Sequence, residues 1–419
     1  MKFQSQVAGL IAVIKPMHTV ATKGIIKDHP LAGLLTFNAS DSLCIIADGG
    51  HVNGINTIDS ASNSIDYKCM QKGSVTISAN DLISALSSFV SNDVVEIETK
   101  DAENGSEVII RSCTDADEMQ TLPILNTECV FNNTQQKKSI ENSIKLNRNL
   151  FIQYANKVSF AHGDQQQFKQ FTYWIMRSFD NDSLRFVAGT GQIFAVVDLE
   201  GKNISSCSKN ISVLFPNVQT QTLLSVLGDA KSDAIIIETH DNYIFVDAQN
   251  IKLKISNLDP SVKWPDENKF LQRNSKISFT TKVGNWKNAV KGINATNNDD
   301  FRKQNKIHHC SLSIDLKKKV IQAKTTDSTL KSNRKIPIED IGTDENINEM
   351  QIRCVSSYFN DIVNKASDNE NLQFEMLDAA NPIVVRYYAD SVVGDYRNFK
   401  KDSDNGIAER YSVFFAIAR

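Results

Sequence analysis

The sequence predicts an α+β chain of three tandem units of similar plan, each with two helices against antiparallel strands. Two observations carry this prediction. First, one layout of helical pattern, polar turn, strand, turn and strand occurs three times. It reads SANDLISALSSFVSNDVVEIETKDAENGSEVIIRS from Ser78, PNVQTQTLLSVLGDAKSDAIIIETHDNYIFVDA from Pro216 and VSSYFNDIVNKASDNENLQFEMLDAANPIVVRYYA from Val355. Leu86, Leu223 and Ile362 hold equivalent helix positions 137 and 139 residues apart, so three such spans fill the 419 residues. Second, Val94-Val95-Glu96-Ile97-Glu98 and Ile251-Lys252-Leu253-Lys254-Ile255 alternate with the period of half-buried antiparallel strands.

Each unit also opens on an earlier helix. In the first, over residues 6–20, Val7, Leu10, Ile11 and Ile14 fall at helical spacing. Lys15 and Pro16 follow the apolar run at once, which argues against a cleaved signal segment. The matching helices span 148–161 and 282–295, and each leads into strand-like runs at 42–47, 184–199 and 309–314. The expected domains are 1–130, 140–262 and 273–419. Polar stretches at 126–145 and 259–275 serve as linkers, and 327–349 and 390–409 read as long polar loops in the third unit.

Composition narrows the function. Hydrophobic residues make up 41% and charged residues 23%, as in an ordinary globular protein, and no apolar stretch is long enough for a membrane span. With 46 basic against 49 acidic residues, the net charge of −3 excludes a wholly basic DNA-coating surface but allows a basic lining inside an acidic shell. Seven scattered cysteines without a CxxC spacing fit a reducing cytoplasm. No catalytic constellation stands out. His308-His309-Cys310 opens a strand whose side chains alternate faces, so they cannot share a metal. Asp48-Gly49-Gly50-His51 and Gly189-Thr190-Gly191 are turns rather than phosphate-binding loops. A catalytic residue, a metal and a cofactor are therefore not expected.

Three segments, in order, resemble the bacterial DNA polymerase III β subunit, the sliding clamp family. Residues 184–201, LRFVAGTGQIFAVVDLEG, are similar to its LRxVATDGHRLAxxE. Residues 213–229, VLFPNVQTQTLLSVLGD, resemble VxxPxxxxxELxxLLGD, and 251–270, IKLKISNLDPSVKWPDENKF, resemble a strand and linker ending FPDYRRV. The ending YSVFFAIAR is similar to YVVMPMRL. The chain departs from the pattern where Thr-Asp-Gly-His-Arg-Leu becomes Gly189-Thr190-Gly191-Gln192-Ile193-Phe194. It departs again where Tyr-Arg-Arg becomes Glu267-Asn268-Lys269, and where the terminal Met-Pro-Met-Arg-Leu becomes Phe415-Ala416-Ile417-Ala418-Arg419.

The resemblance implies a homodimeric ring of six similar domains around duplex DNA. It implies a processivity factor rather than an enzyme, in the cytoplasm of a bacterial or phage-infected cell. Its partners would be double-stranded DNA of any sequence, the replicative DNA polymerase, an ATP-dependent clamp loader and a second copy of itself, with no membrane partner. If the helices line the hole, Lys15, Lys23, Lys27, Arg148, Lys157, Lys282, Lys287, Lys291 and Lys365 meet phosphates, and Lys287 and Lys291, four apart, share a helix face. The implied partner-peptide cleft has walls Thr172, Gly189, Gly191, Gln192, Ile193, Phe194, Pro265, Lys269, Phe270, Tyr358, Pro382, Val413, Phe415, Ala416 and Ile417. The implied dimer contact sets an edge strand at Val108, Ile109, Ile110 and Arg111 against the helix end near Ile293. Taken without the resemblance, the lysines fit solvated helix faces, and Phe194 and Phe415 fit the core of their own strands. Two other functions stay open: a repeat-built interaction protein that never encircles DNA, and a multi-domain α+β enzyme.

Overall fold

The computed structural model describes residues 1–26, 28–59, 65–102, 105–115, 117–131, 142–161, 169–206, 210–256, 259, 261–268, 275–295, 309–325, 332–343, 349–378, 381–388, 400–401 and 407–415. One element order recurs three times, with one added short strand, β27, in the third pass. The first pass runs β1 (Lys2–Gln6), α1 (Val7–Lys23), β2 (Leu34–Ala39), β3 (Ser42–Asp48), β4 (Val52–Asp59), β5 (Lys68–Gln71), β6 (Gly73–Ser78), α2 (Ala79–Leu86), β7 (Val94–Ala102), β8 (Gly105–Ser112) and β9 (Met119–Pro123). The second runs β10 (Asn142–Asn147), α3 (Arg148–Val158), β11 (Tyr173–Asp180), β12 (Ser183–Gly189), β13 (Ile193–Glu200), β14 (Ser205–Ser206), β15 (Ile211–Pro216), α4 (Asn217–Gly228), β16 (Ala234–His240), β17 (Tyr243–Ala248) and β18 (Ile251–Ser256). The third runs β19 (Ile277–Lys282), α5 (Val283–Ala295), β20 (His309–Asp315), β21 (Val320–Thr325), β22 (Asn333–Pro337), β23 (Ile341–Thr343), β24 (Glu349–Val355), α6 (Ser356–Val363), β25 (Asn371–Met376), β26 (Ile383–Tyr388), β27 (Lys400–Lys401) and β28 (Ala408–Phe415).

Every helix starts directly on a strand, without a loop to carry a capping residue. The first N–H groups of a helix still need acceptors. In each pass, backbone carbonyls from the turn after the second helix supply them to the first. Val7 and Ala8 donate to the carbonyls of Asp93 and Ser91, Arg148 to Asp233, and Val283 and Gly284 to Glu370 and Asp368, all at 2.8 to 3.1 Å. The threefold sequence pattern thus has a threefold hydrogen-bonding counterpart that ties each helix pair together. Asn147 adds a side-chain cap, accepting from the N–H of Leu150 at 3.0 Å.

The chain forms two compact units. One holds Met1–Gln153, Ser205–Cys207 and Val213–Ser261, and the other holds Tyr154–Ile204, Ser208–Ser212 and Val262–Arg419. In the first, an antiparallel sheet of order β5-β1-β7-β8-β9 accompanies a larger one, β14-β10-β16-β17-β18-β4-β3-β2-β6. The larger sheet is continuous because β18 pairs with β4, from Ile251 opposite Asn56 to Ile255 opposite Val52. Helix α1 buries Val7, Leu10, Val13, Ile14, Met17 and Val20. It runs on through Pro16 to Lys23, three residues beyond the sequence expectation.

In the second unit, strands β11-β12-β13-β28-β26-β25-β19-β23 form one antiparallel sheet and β22-β21-β20-β24 another. Trp286 of α5 stacks on Phe359 and Phe374, with centroids 4.7 and 5.2 Å away, and donates its indole N–H to Thr281 at 2.7 Å. Tyr387 and Tyr411 stack at 4.3 Å and donate to the carbonyls of Ile362 and Lys157. Burial pushes both phenols well above the ordinary tyrosine range. A raised pKa of an acid means the folded state holds its proton longer than the unfolded one. This stabilisation is complete below pH ~10 and is lost as pH rises above it. The expected result is a fall of about 1.4 kcal/mol per pH unit for each tyrosine above pH 10. Thermal melts from pH 8 to 12, with tyrosinate absorbance recorded in parallel, measure it.

Several expectations change here. The expected linker 126–145 runs into β10, and the expected loop 390–409 contains β27 and the start of β28. Residues 327–349 contain β22 and β23 as well as loop, because Asn333–Pro337 completes the sheet beside β21. Strand β8 is not an edge, since it pairs with β7 on one side and β9 on the other. Val108 and Ile110 are fully buried, their apolar run having been claimed by the core, and the edge passes to β9.

Candidate functional site

The predicted basic residues divide by environment. Lys23 and Lys291 are exposed. Lys15 is also exposed but pairs with Asp229 at 3.0 Å. Lys287 is held by the carboxylate of Asp368 at 2.6 Å and the carbonyl of Ala366 at 2.8 Å. Lys157 is largely buried, paired with Glu409 and lying over the rings of Tyr411 and Tyr154 at 5.2 and 5.7 Å. Lys365 donates to the carbonyl of Asn156 at 3.1 Å, and Arg148 donates to Asn149. Lys282 closes β19, half-buried, and Lys27 lies outside the described residues. Charge placement in the sequence found these side chains but not the carboxylates that hold them.

Among the edges of the four sheets, those of β9 and β22 are alike. Ser112 N–H bonds the carbonyl of Glu118, and Ile124 N–H bonds Ser106. The even-numbered backbone of β9 therefore bonds β8, so Met119 and Thr121 turn their N–H groups outward. Thr325 N–H bonds Ser332 and Ile338 N–H bonds Lys319, which turns Asn333 and Lys335 outward from β22 in the same way. Each edge ends in a proline at the next outward position, Pro123 and Pro337, where no ladder bond is lost. The two strands share one exposure pattern, with a single buried residue, Leu122 in β9 and Ile336 in β22. Beside β9, Asp81, Ser84, Ala85, Ser88, Gln120, Leu122 and Pro123 line an open hollow of about 340 Å3. Beside β22, Arg334 packs over Gly292 of α5, where a Cβ would collide with the guanidinium. Ile293 itself is core.

The described members of the predicted cleft lie toward one end of the second unit's main sheet, on both of its faces. Gly189, Thr190, Gly191 and Gln192 make the tight β12–β13 turn, closed by the Thr190 N–H on the carbonyl of Ile193 at 2.7 Å. The Thr190 hydroxyl accepts from the N–H groups of Gln192 and Ile193. Tyr358 of α6 reaches this turn and donates to Gln192 Oε1 at 2.8 Å. Strand alternation then separates the walls. Phe194 lies on one face, with Phe171 edge-on at 5.4 Å and Trp264 edge-on to Phe171 at 6.0 Å. Ile193, Val413 and Phe415 turn to the other face, where Phe359 packs on Phe415 at 5.1 Å. Thr172, Pro265 and Pro382 are half-buried at the margins. Lys269, Phe270, Ala416 and Ile417 lie outside the described residues. Phe171 and Trp264 were missed by sequence reasoning, although Trp264 directly precedes Pro265.

On the face that carries Phe194, charge replaces apolar packing along the same strands. Arg185 donates to Asp198 at 2.5 Å, to Glu267 at 3.2 Å and to Asn268 at 2.8 Å. Arg410 reaches the other oxygen of Asp198 at 2.6 Å, and Arg177 reaches Glu267 at 3.2 Å. Arg177, Arg185, Asp198 and Arg410 are cross-strand neighbours in register. Burial works against the Arg185 charge, but Asp198 and Glu267 outweigh it and hold its pKa above the ordinary arginine value. Among the described residues no group of three His, Cys, Asp or Glu side chains is placed to hold a metal ion. No helix among them is long and apolar enough to cross a membrane.

Neither a family model nor a curated protein matches the chain. Solved structures do. The DNA polymerase III β chain of Streptococcus pneumoniae TIGR4 aligns over 100% of this chain and 99% of its own, with TM-score 0.77 and 15% identity. The chain has a sliding-clamp fold. The sliding clamp of Bacillus subtilis aligns over the same shares at TM-score 0.74 and 16% identity. So does that of Pseudomonas aeruginosa bound to griselimycin, at 0.74 and 13%. At identities of 13 to 16% the likeness is one of fold.

Proposed function

We propose that this chain is a non-catalytic sliding clamp, three tandem clamp domains at 1–130, 140–262 and 273–419 that close as a homodimer around duplex DNA and tether a replicative polymerase in the cytoplasm. The full-length likeness to clamp structures carries this reading. The ring closes head to tail, the β9 edge of one copy adding to the β22 edge of the next. Open edges need partners, and these two offer matching outward N–H positions. Asp81 and Glu118 beside β9 complement Arg334 and Lys335 on β22. DNA is held through phosphates, without reading bases, and a clamp loader opens the ring. The partner peptide binds at the sheet end marked by Gln192, Phe194 and Tyr358.

Retention on DNA tests the reading. A closed ring loaded on nicked circular DNA stays bound through a gel-filtration column and runs off once the circle is cut; equal loss from circular and linear DNA rules it out. Among the lysines, the exposed pair should matter most. Lys23→Glu with Lys291→Glu is expected to weaken DNA affinity about tenfold or more at low salt. It should also lower the slope of log K against log salt by about 0.9 for each phosphate no longer neutralised. Lys287→Glu should do less, because Asp368 already occupies its ammonium. Fluorescence anisotropy across a salt series gives both numbers.

A further inference from the structure

Strands β20 and β24 meet on their core side through three cross-strand pairs. Two are aliphatic, Leu312 with Ile352 and Ile314 with Met350, and the third is Cys310 with Cys354. The two sulfurs lie 3.6 Å apart, and the residues are 1% and 0% exposed. Directly opposed residues of an antiparallel pair hold their Cα atoms within the range that a disulfide spans. A bond of about 2 Å then needs rotation of the side chains and no shift of the backbone. The hydrogen bond with Cys310, and then burial, push the Cys354 thiol well above the ordinary cysteine range. While the strands are paired, it is held as the thiol and not as the reactive thiolate. Among the described residues, β24 ends its sheet with β20 as its neighbour. A terminal strand of this kind opens locally without unfolding the whole chain.

We propose that Cys310 and Cys354 are an oxidation site, a latent cross-strand disulfide that closes when a peroxide reaches β24 in its opened state. Opening exposes Cys354 to water and lets it ionise. Its thiolate attacks one peroxide oxygen and breaks the O–O bond, which leaves a sulfenic acid on Cys354 and, after protonation, one water. As the strand closes again, the Cys310 sulfur attacks the Cys354 sulfur and the S–O bond breaks. The departing hydroxide takes the Cys310 proton and leaves as a second water. Two thiols are oxidised and one peroxide is reduced. The product ties β24, and with it α6 starting at Ser356, to β20 across 44 positions of chain. In the paired strands the bond occupies the buried place of the two thiols. A reductant therefore meets it only on opening, which the bond itself opposes, so the oxidation is slow to enter and slower to reverse.

Peptide mapping of the full-length protein tests it, after hydrogen peroxide treatment, quenching and alkylation in denaturant. The expected product is a peptide pair joined through Cys310 and Cys354, lighter by two hydrogens than the two thiol peptides. It should form about three- to tenfold faster in urea too dilute to unfold the chain, because urea favours the opened strand. Cys113 is exposed and serves as the internal control, since its oxidation needs no opening and should keep its rate. The joined protein should melt about 5 to 15 °C higher than the reduced one. Dithiothreitol should reduce the bond at least about tenfold more slowly in the folded protein than in denaturant. Cys354→Ala should lose both the joined peptide and the peroxide-dependent rise in melting temperature. Free thiols at 310 and 354 under conditions that oxidise Cys113 overturn the proposal, and so does a rate of joining that urea leaves unchanged.

Discussion

Asp198→Ala is expected to destabilise the second compact unit by about 3 to 5 kcal/mol, the usual cost of stripping one partner from a buried ion pair. The carboxylate serves two arginines at once, Arg185 through one oxygen and Arg410 through the other. Only 9% of the Arg185 side chain is exposed, so water cannot replace the lost partner. Glu267 still reaches Arg185, but it also serves Arg177 and leaves that cluster with more positive than negative charge. Thermal unfolding should show the transition of this unit falling by roughly 6 to 20 °C, using about 2 to 4 °C per kcal/mol for a unit of this size. Arg410→Met should cost less, since that side chain is 20% exposed and Asp198 keeps Arg185. A melting curve for Asp198→Ala within 2 °C of wild type would show that the network contributes little.

The repeat was legible because helix and strand periodicities survive substitution, and the helices and most of the strands lie where those periods place them. What was not legible arises between segments distant in sequence. The first helix of each pass starts on carbonyls more than 80 residues away, which cap its N–H groups. The apolar run Val108-Ile109-Ile110 suggested an exposed edge, yet an apolar run equally marks a strand paired on both sides, and the shorter, more polar Met119–Pro123 is the true edge. The buried charges were invisible for a related reason. Arg185, Asp198 and Arg410 sit singly among apolar residues, and only the strand register brings them together. The candidate cleft was half legible. Its turn and Phe194 came from the resembled motif and Tyr358 from the wider resemblance, while Phe171 and Trp264 became visible only as neighbours in space.

On the ring proposed above, closed by β9 against β22, Thr121→Pro is expected to prevent closure while leaving the fold intact. The N–H of Thr121 points away from β8, because the bonds from Ile124 to Ser106 and from Ser112 to Glu118 fix the even-numbered residues as the inward ones. Proline at 121 thus costs no bond inside the chain, and an extended strand accepts its φ. Pro123, two residues on in the same outward register, already shows that β9 tolerates one. Across the interface the consequence differs. The substitution removes an outward donor and sets ring carbons against the approaching β22 edge. Losing one ladder bond, with its acceptor stranded at the contact, costs about 1 to 2 kcal/mol. A two-chain ring repeats the contact twice, so closure weakens by about 2 to 4 kcal/mol, or roughly thirtyfold to a thousandfold. Sedimentation velocity should therefore find the variant monomeric at concentrations where the wild type is dimeric, and circular DNA should no longer retain it. Gln120→Pro is the control for fold, since its N–H faces β8 and its loss damages the chain itself. A dimer of Thr121→Pro as tight as wild type would mean that the ring closes through some other surface.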